Sequence, residues 1–293
     1  MSLSDNENRS TGSVPPGLTI TATPIGNLGD LSPRARASLE VADIIACEDT
    51  RHTGLMLSRL GIKAGKLVAY HDHSSPQVTA RLLAAMEDGS RITLVSDAGT
   101  PLIADPGFQL VRGCRERGIS VTTIPGPSAM LAGLTLAGLP TDRFFFGGFL
   151  ASGMKAREKE LTEHLKIPAT LIFYDSPKRV LDTLALLERL AADRPIAMAR
   201  EITKLHEECR TGTPGEVLAS YQDEPPPRGE IVLIIGPSAG PAAPDDDRLR
   251  AMLQRALADG NSRRDAADLV SKASGVARRK VYSLALEINA DDT

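Results

Sequence analysis

Between residues 18 and 137, short apolar runs alternate with stretches that carry helix signals, and this alternation limits the possible folds more than any other feature of the chain. The runs are LTITATPIG (18–26), DIIACED (43–49), KLVAY (66–70), RITLVSD (91–97) and SVTTI (120–124). Ser32-Pro33 supplies an N-cap followed by proline at the first helical position. Gly61 and Gly89 close two further helical patterns. The rhythm reads as a mostly parallel sheet with helices on both faces.

The pattern changes after DRFFFGGFL (142–150). ASGMKAREKE is polar and charged and reads as a linker running into a helix. A second α/β unit follows, with strands in ATLIFYD, PIAMAREI and RGEIVLIIG and a helix in PKRVLDTLALLERLAA. PSAGPAAPDDD (237–247) has the composition of a linker. Three helical patterns with short Gly-containing breaks then suggest a helix-turn-helix-like tail. The expected organisation is a disordered tail at 1–17, an N-terminal α/β domain at 18–141, a C-terminal α/β domain at 142–237, a linker at 238–247 and a helical tail at 248–293.

Composition narrows the function classes. The 293-residue chain is 42% hydrophobic and 24% charged, as in a globular protein. No apolar run is long enough to span a bilayer, so no membrane partner is expected. Three widely separated cysteines argue against a disulfide framework and for a reducing, cytoplasmic setting. The net charge of -3 gives no overall excess of Lys and Arg, so any RNA contact must rest on local patches.

The polar groups cluster at strand ends, where open α/β sheets bind ligands. SDAGTPLIADPG (96–107) is a more elaborate exit than a strand needs, and IPGPSA (124–129) repeats its Gly/Pro punctuation. Together they suggest a small-molecule floor. EDTRH (48–52) puts carboxylates, a guanidinium and an imidazole at one strand end. Asp49 or Glu48 could take a proton there, and Arg51 could clamp a phosphate, although such a cluster also suits a solvated surface. HDH (71–73) has two imidazoles but no partner pattern for a metal, so none is expected. FYDSPKR (173–179), AREITKLHE (199–207) and RGE (228–230) would line a second wall of an interdomain cleft.

In this order, TPIGNLGDLSPRA, EDTRHTG, HDH, SDAGTPLIADPG, PGPSA, GLPTDRFFFGGFL, FYDSPKR, AREITK and RGEIVL resemble the ribosomal RNA small subunit methyltransferase I family of the tetrapyrrole methylase superfamily. The resemblance spans roughly residues 18–290. It implies two α/β domains of the tetrapyrrole methylase type around a cleft, with a C-terminal helical tail. It also implies a homodimer that uses S-adenosylmethionine to methylate a cytidine ribose 2'-OH in 16S rRNA, cytidine 1402 in the family, as naked RNA or in the small ribosomal subunit. The cofactor contacts it implies are Pro24, Asp97, Ala98, Thr100, Ile103, Ser128, Ala129, Tyr174, Arg200 and Glu230. Asp49 or Glu201 is the expected base, with Arg51 beside it. Arg51, His52, Lys178, Arg179 and Lys204 are expected to hold RNA. Residues 263–280 carry six Lys or Arg against two Asp, and Arg278, Arg279 and Lys280 of this patch are expected to touch rRNA. The alternatives are a superfamily enzyme acting on a corrin precursor or a diphthamide intermediate, and a non-catalytic RNA-binding protein.

Overall fold

The computed structural model describes residues 14–63, 65–71, 73–238 and 245–288. Most of the N-terminal tail and of the 238–247 linker therefore lies outside the described residues, as does Asp72 of the HDH segment.

The first half is a parallel sheet of five strands: β1 (Gly17–Thr21), β2 (Ile44–Cys47), β3 (Lys66–Ala69), β4 (Arg91–Val95) and β5 (Val121–Ile124), in the order β3-β2-β4-β1-β5. The crossovers carry α1 (Pro33–Val41), α2 (Thr50–Arg59), α3 (Pro76–Glu87) and α4 (Phe108–Glu116). Ser32 caps α1 by accepting from the Ala35 amide, with Pro33 opening the helix. One apolar cluster includes Leu82, Leu83, Ile92, Leu94 and Leu110. A second includes Leu39, Ile45, Met56 and Leu57. The sheet is thus covered on both faces, as all-parallel sheets require.

The second half contains β6 (Phe144–Phe149), β7 (Thr170–Asp175), β8 (Ile196–Arg200), β9 (Glu208–Gly212) and β10 (Ile231–Ile235), in the order β6-β7-β10-β8-β9. Only β6 and β7 are parallel; the other pairs are antiparallel. Central β10 is buried on both faces, which explains its unbroken IVLII. One face packs on α7 (Val180–Ala191) and α8 (Pro214–Ala219) through residues such as Leu184, Leu187 and Val217. The other meets α5 (Ala129–Leu136), which follows β5, through Leu134, Val232 and Ile234. Helix α5 therefore joins the halves and sets its own N-terminus between them.

Two stretches differ from the sequence expectation. FFFGGF, which the sequence pattern does not mark as a strand, is strand β6, and its register slips between Phe146 and Phe149. A Cβ at Gly147 would stand 2.3 Å from the Phe173 ring, and Gly148 has φ +70°, so the glycine pair makes the slip possible. The charged stretch expected as a linker running into a helix is already helical from Met154, as α6 (Met154–His164), and it buries Arg157. Its guanidinium donates to the carbonyls of Ala151, Ser152 and Arg179 and to Thr183 Oγ1, which satisfies a group otherwise costly to bury.

The C-terminal unit is a separate bundle of α9 (Asp246–Ala258), α10 (Arg263–Ser274) and α11 (Arg278–Glu287). Leu249, Leu253, Val270, Val281 and Leu284 form its core. Gly275, at φ +70°, ends α10. Among the described residues no helix is long and apolar enough to cross a membrane.

Candidate active site

The loop after β4 ties together the other strand-end loops of the first sheet. Thr23 and Gly99 exchange both backbone hydrogen bonds, at 2.8 and 3.1 Å, fastening it to the exit of β1. Thr100 Oγ1 donates to the Pro127 carbonyl at 3.0 Å, reaching the loop after β5. Asp97 Oδ1 accepts from the Asp49 amide at 3.1 Å, reaching the loop after β2. Leu102 (φ +72°) and Ala104 (φ +62°) hold left-handed conformations that side chains disfavour, a strain typical of ligand-shaping segments.

Above this loop lie two cavities of about 220 Å³ each. Ile25, Asp97, Ala98 and Glu230 line both, so the two cavities are lobes of one cleft. The first is bounded by the 97–105 loop, by Ser128 and Ala129 at the start of α5, and by Phe149, Tyr174, Asp175 and Glu230–Val232 from the second half. Among the described residues lining it there is no Lys or Arg, but there are the acids Asp97, Asp105 and Glu230; Asp175 also lines it, with its carboxylate buried against Arg179. Tyr174 OH accepts from the Met130 amide at 3.2 Å, and its ring meets Phe149 edge-on at 5.2 Å. Burial pushes this hydroxyl's pKa up, so it stays protonated.

The second lobe is bounded by Pro24, Gly26, Leu28, Lys204 and, on α2, His52, Leu55, Met56 and Arg59. Lys204 stands on the turn between β8 and β9. Its Nζ lies 3.0 Å from Glu201 Oε1 and 3.1 Å from Glu230 Oε2. Burial pulls the Lys204 pKa down, but the two carboxylates outweigh it and hold the ammonium above its ordinary value. Burial likewise raises Glu201, yet the Lys204 ammonium beside it leaves the carboxyl below its usual range. Glu201 (φ +50°) and Thr203 (φ +67°) are both left-handed.

The expected cofactor residues Asp97, Ala98, Thr100, Ile103, Ser128, Ala129, Tyr174 and Glu230 all line the first lobe, whereas Pro24 lines the second. Arg200 lines neither lobe and is bound to Glu208 at 2.5 Å. Asp49 and Arg51 also line neither. They pair with each other at 2.8 Å, and Asp49 caps α2 by accepting from the Arg51 amide. The Arg51 guanidinium and amide hold the Asp49 carboxyl far below the usual carboxylate range. Of the expected RNA ligands, His52 and Lys204 line the second lobe. Lys178 is exposed, and Arg179 is bound to the buried Asp175. In the helical unit, Arg278 pairs with Asp268 and Lys280 with Asp246, while Arg279 is exposed. His71 and His73 have ring centroids 6.3 Å apart; among the described residues no cluster of His, Cys, Asp and Glu could hold a metal ion.

Reading the sequence missed Phe149, Ile231 and Val232 in the first lobe and Leu55, Met56 and Arg59 in the second. Phe149 follows the glycine pair, and the α2 residues recur at helical spacing after His52, which is the signal that could have found them.

The lining of the first lobe fits S-adenosylmethionine. Its carboxylates and lack of cations suit a sulfonium, Ile103, Phe149 and Val232 offer apolar walls for a purine, and the N-terminus of α5, where Ser128 makes no side-chain cap hydrogen bond, suits a carboxylate.

The family model of tetrapyrrole (corrin/porphyrin) methylases matches residues 17–218. The model of the RsmI C-terminal HTH domain matches residues 242–289. Ribosomal RNA small subunit methyltransferase I of Erythrobacter litoralis is 48% identical over 273 residues, covering 93% of this chain and 95% of that one. The protein of that name in Escherichia coli O157:H7 is 45% identical over 278 residues, covering 92% and 94%. Among solved structures, diphthine synthase superposes with a TM-score of 0.58 at 14% identity, covering 75% of this chain and 89% of that one. The methyltransferase CobJ superposes at 0.56 and 20% identity, covering 78% and 95%. The fold, the matched models and the close relatives agree: this chain belongs to the tetrapyrrole methylase superfamily and, within it, to the ribosomal RNA small subunit methyltransferase I family.

Proposed function

We propose that the protein is an S-adenosylmethionine-dependent methyltransferase that modifies the ribose 2'-OH of a cytidine in small-subunit rRNA, at the position of cytidine 1402. The observation that carries this reading is the two-lobed cleft. One lobe is acidic and apolar, and it meets a second lobe lined by His52, Arg59 and Lys204. The first suits a cationic methyl donor. The second suits a nucleotide, whose phosphates favour nearby cations. Identity near 45% over nearly the whole chain to rRNA methyltransferases supports the RNA substrate.

When bound, S-adenosylmethionine would supply the electrophilic methyl group. The residues of the chain do the rest. The 97–105 loop and the start of α5 orient the donor, and Phe149 and Tyr174 shield one side from water. The second lobe brings an acceptor oxygen to the junction marked by Asp97 and Glu230. Positioning of this kind accounts for much of the acceleration of a two-substrate transfer. The nucleotide must leave its stack to enter such a cleft, which favours an unpaired or strained RNA segment. The reading carries with it a homodimer, a cytoplasmic setting and rRNA contact by Arg278–Lys280 of the helical unit.

The test is transfer of labelled methyl from S-adenosylmethionine to unmethylated small subunits and to naked 16S rRNA. Label in RNA is expected with at least one of them. Cofactor binding without transfer to either would defeat the reading.

A further inference from the structure

Two carboxylates, Asp97 and Glu230, line both lobes of the cleft and so stand where donor and acceptor must meet. They are not equivalent. Asp97 Oδ1 is bound by the Asp49 amide as part of the stitching of the loops. Glu230 has Lys204 Nζ at 3.1 Å, and its side chain is 71% exposed, which leaves a path for a proton to solvent.

The surrounding turn is built to place Glu230. Glu201 Oε1 accepts from Lys204 Nζ at 3.0 Å and from the Glu230 amide at 3.3 Å. A Cβ on Gly229 (φ +86°) would stand 1.9 Å from that same oxygen, so only glycine lets the Glu201 carboxylate tuck under the backbone here. Glu201 lines neither lobe. Its strained backbone and its committed oxygen make it a support for Glu230 rather than a group that meets substrate.

We infer that Glu230 is the catalytic base of the reaction, with Lys204 as the residue that positions it. The inference rests on the methyl-transfer reading above. The acceptor oxygen gains the methyl carbon, the carbon–sulfur electron pair stays on sulfur as a neutral thioether, and the O–H proton passes to a Glu230 oxygen and then to water. Lys204 holds the carboxylate toward the second lobe. The other ionisable groups around Glu230 are Glu201 on the same turn, Asp97 on the β4 loop, and His52 and Arg59 on α2. Across the first lobe stand Asp105, Tyr174 and Asp175. None of these replaces the cation at 3.1 Å.

The experiment uses the full chain with unmethylated small subunits, saturating labelled S-adenosylmethionine, and calorimetry with S-adenosylhomocysteine. E230Q is expected to lower kcat by about 100-fold or more while its affinity for S-adenosylhomocysteine stays within about threefold. K204M is expected to lower kcat by about tenfold with KM for the small subunit within about threefold of wild type, and K204R to restore most of the loss, a split that a purely structural role would not produce. A kcat for E230Q within about threefold of wild type overturns the inference. So does a loss of S-adenosylhomocysteine affinity equal to the loss of rate, which would make Glu230 a cofactor ligand. A K204M kcat within about threefold of wild type, or a K204R variant no better than K204M, removes Lys204 from its role. If the wild-type protein transfers no methyl to RNA, the functional reading fails and this inference falls with it; if only the variants disagree, that reading stands.

Discussion

The Asp175 carboxylate, with none of its side chain exposed, lies 3.2 Å from the Arg179 guanidinium at the end of β7. The same carboxylate accepts from the Ser176 amide at 2.7 Å and from Thr183 Oγ1 at 2.6 Å, and Thr183 is in turn bound by buried Arg157. One acid therefore closes a network that spans β7, α6 and α7 at the wall of the first lobe. Asp175→Ala leaves the Arg179 guanidinium, the Thr183 hydroxyl and the Ser176 amide short of a partner. It is expected to cost about 3–5 kcal/mol, measured by urea unfolding, and Arg179→Ala is expected to cost less because that side chain is partly exposed.

Gly147 faces Phe173 where no side chain fits. Gly147→Ala is expected to destabilise the protein by about 1–3 kcal/mol through overpacking, read as a lower midpoint in thermal or urea unfolding.

The Glu208 carboxylate binds Arg200 and Arg210. Burial raises its pKa, but the two guanidiniums win and hold it below its ordinary value of 4.5. A depressed folded value means that the unfolded chain binds the proton more readily. The stabilisation is therefore present above about pH 4.5 and is lost as pH falls through the lower folded value. Glu208→Gln removes it. Between pH 6 and pH 3, unfolding midpoints should fall less in this variant than in wild type.

Ile103 stands at the rim of the acidic lobe, 37% exposed. Ile103→Lys places a cation where a sulfonium is expected. The variant should lose affinity for S-adenosylmethionine by about tenfold or more, while S-adenosylhomocysteine, which has no sulfonium charge, loses less. Calorimetry with both ligands separates the two effects.

The first sheet was legible because each strand is a short apolar run set between helix signals, and the site loops follow those runs. The second sheet was only half legible. In β6 the glycine pair interrupts the alternation, and β9 (ECRTG) is polar because its arginine and glutamate pair with each other and with neighbouring elements rather than facing water. Arg157 shows the same limit: in sequence it belongs to a charged run, and only the fold brings four acceptors around it. The charged candidates at the site followed this pattern. EDTRH has the chemistry of a catalytic cluster, but Asp49 and Arg51 lie close enough along the chain to neutralise each other. The Lys204–Glu230 contact joins residues 26 apart and depends on the antiparallel pairing of β8 with β10, which spacing does not encode.

Nucleoside mass spectrometry of small-subunit rRNA, after incubation with the protein and S-adenosylmethionine, tests the proposed reaction at its product. The expected result is a single new 2'-O-methylcytidine at the position of cytidine 1402. A methyl group on a base, or unmodified RNA beside protein that binds the cofactor, would contradict it.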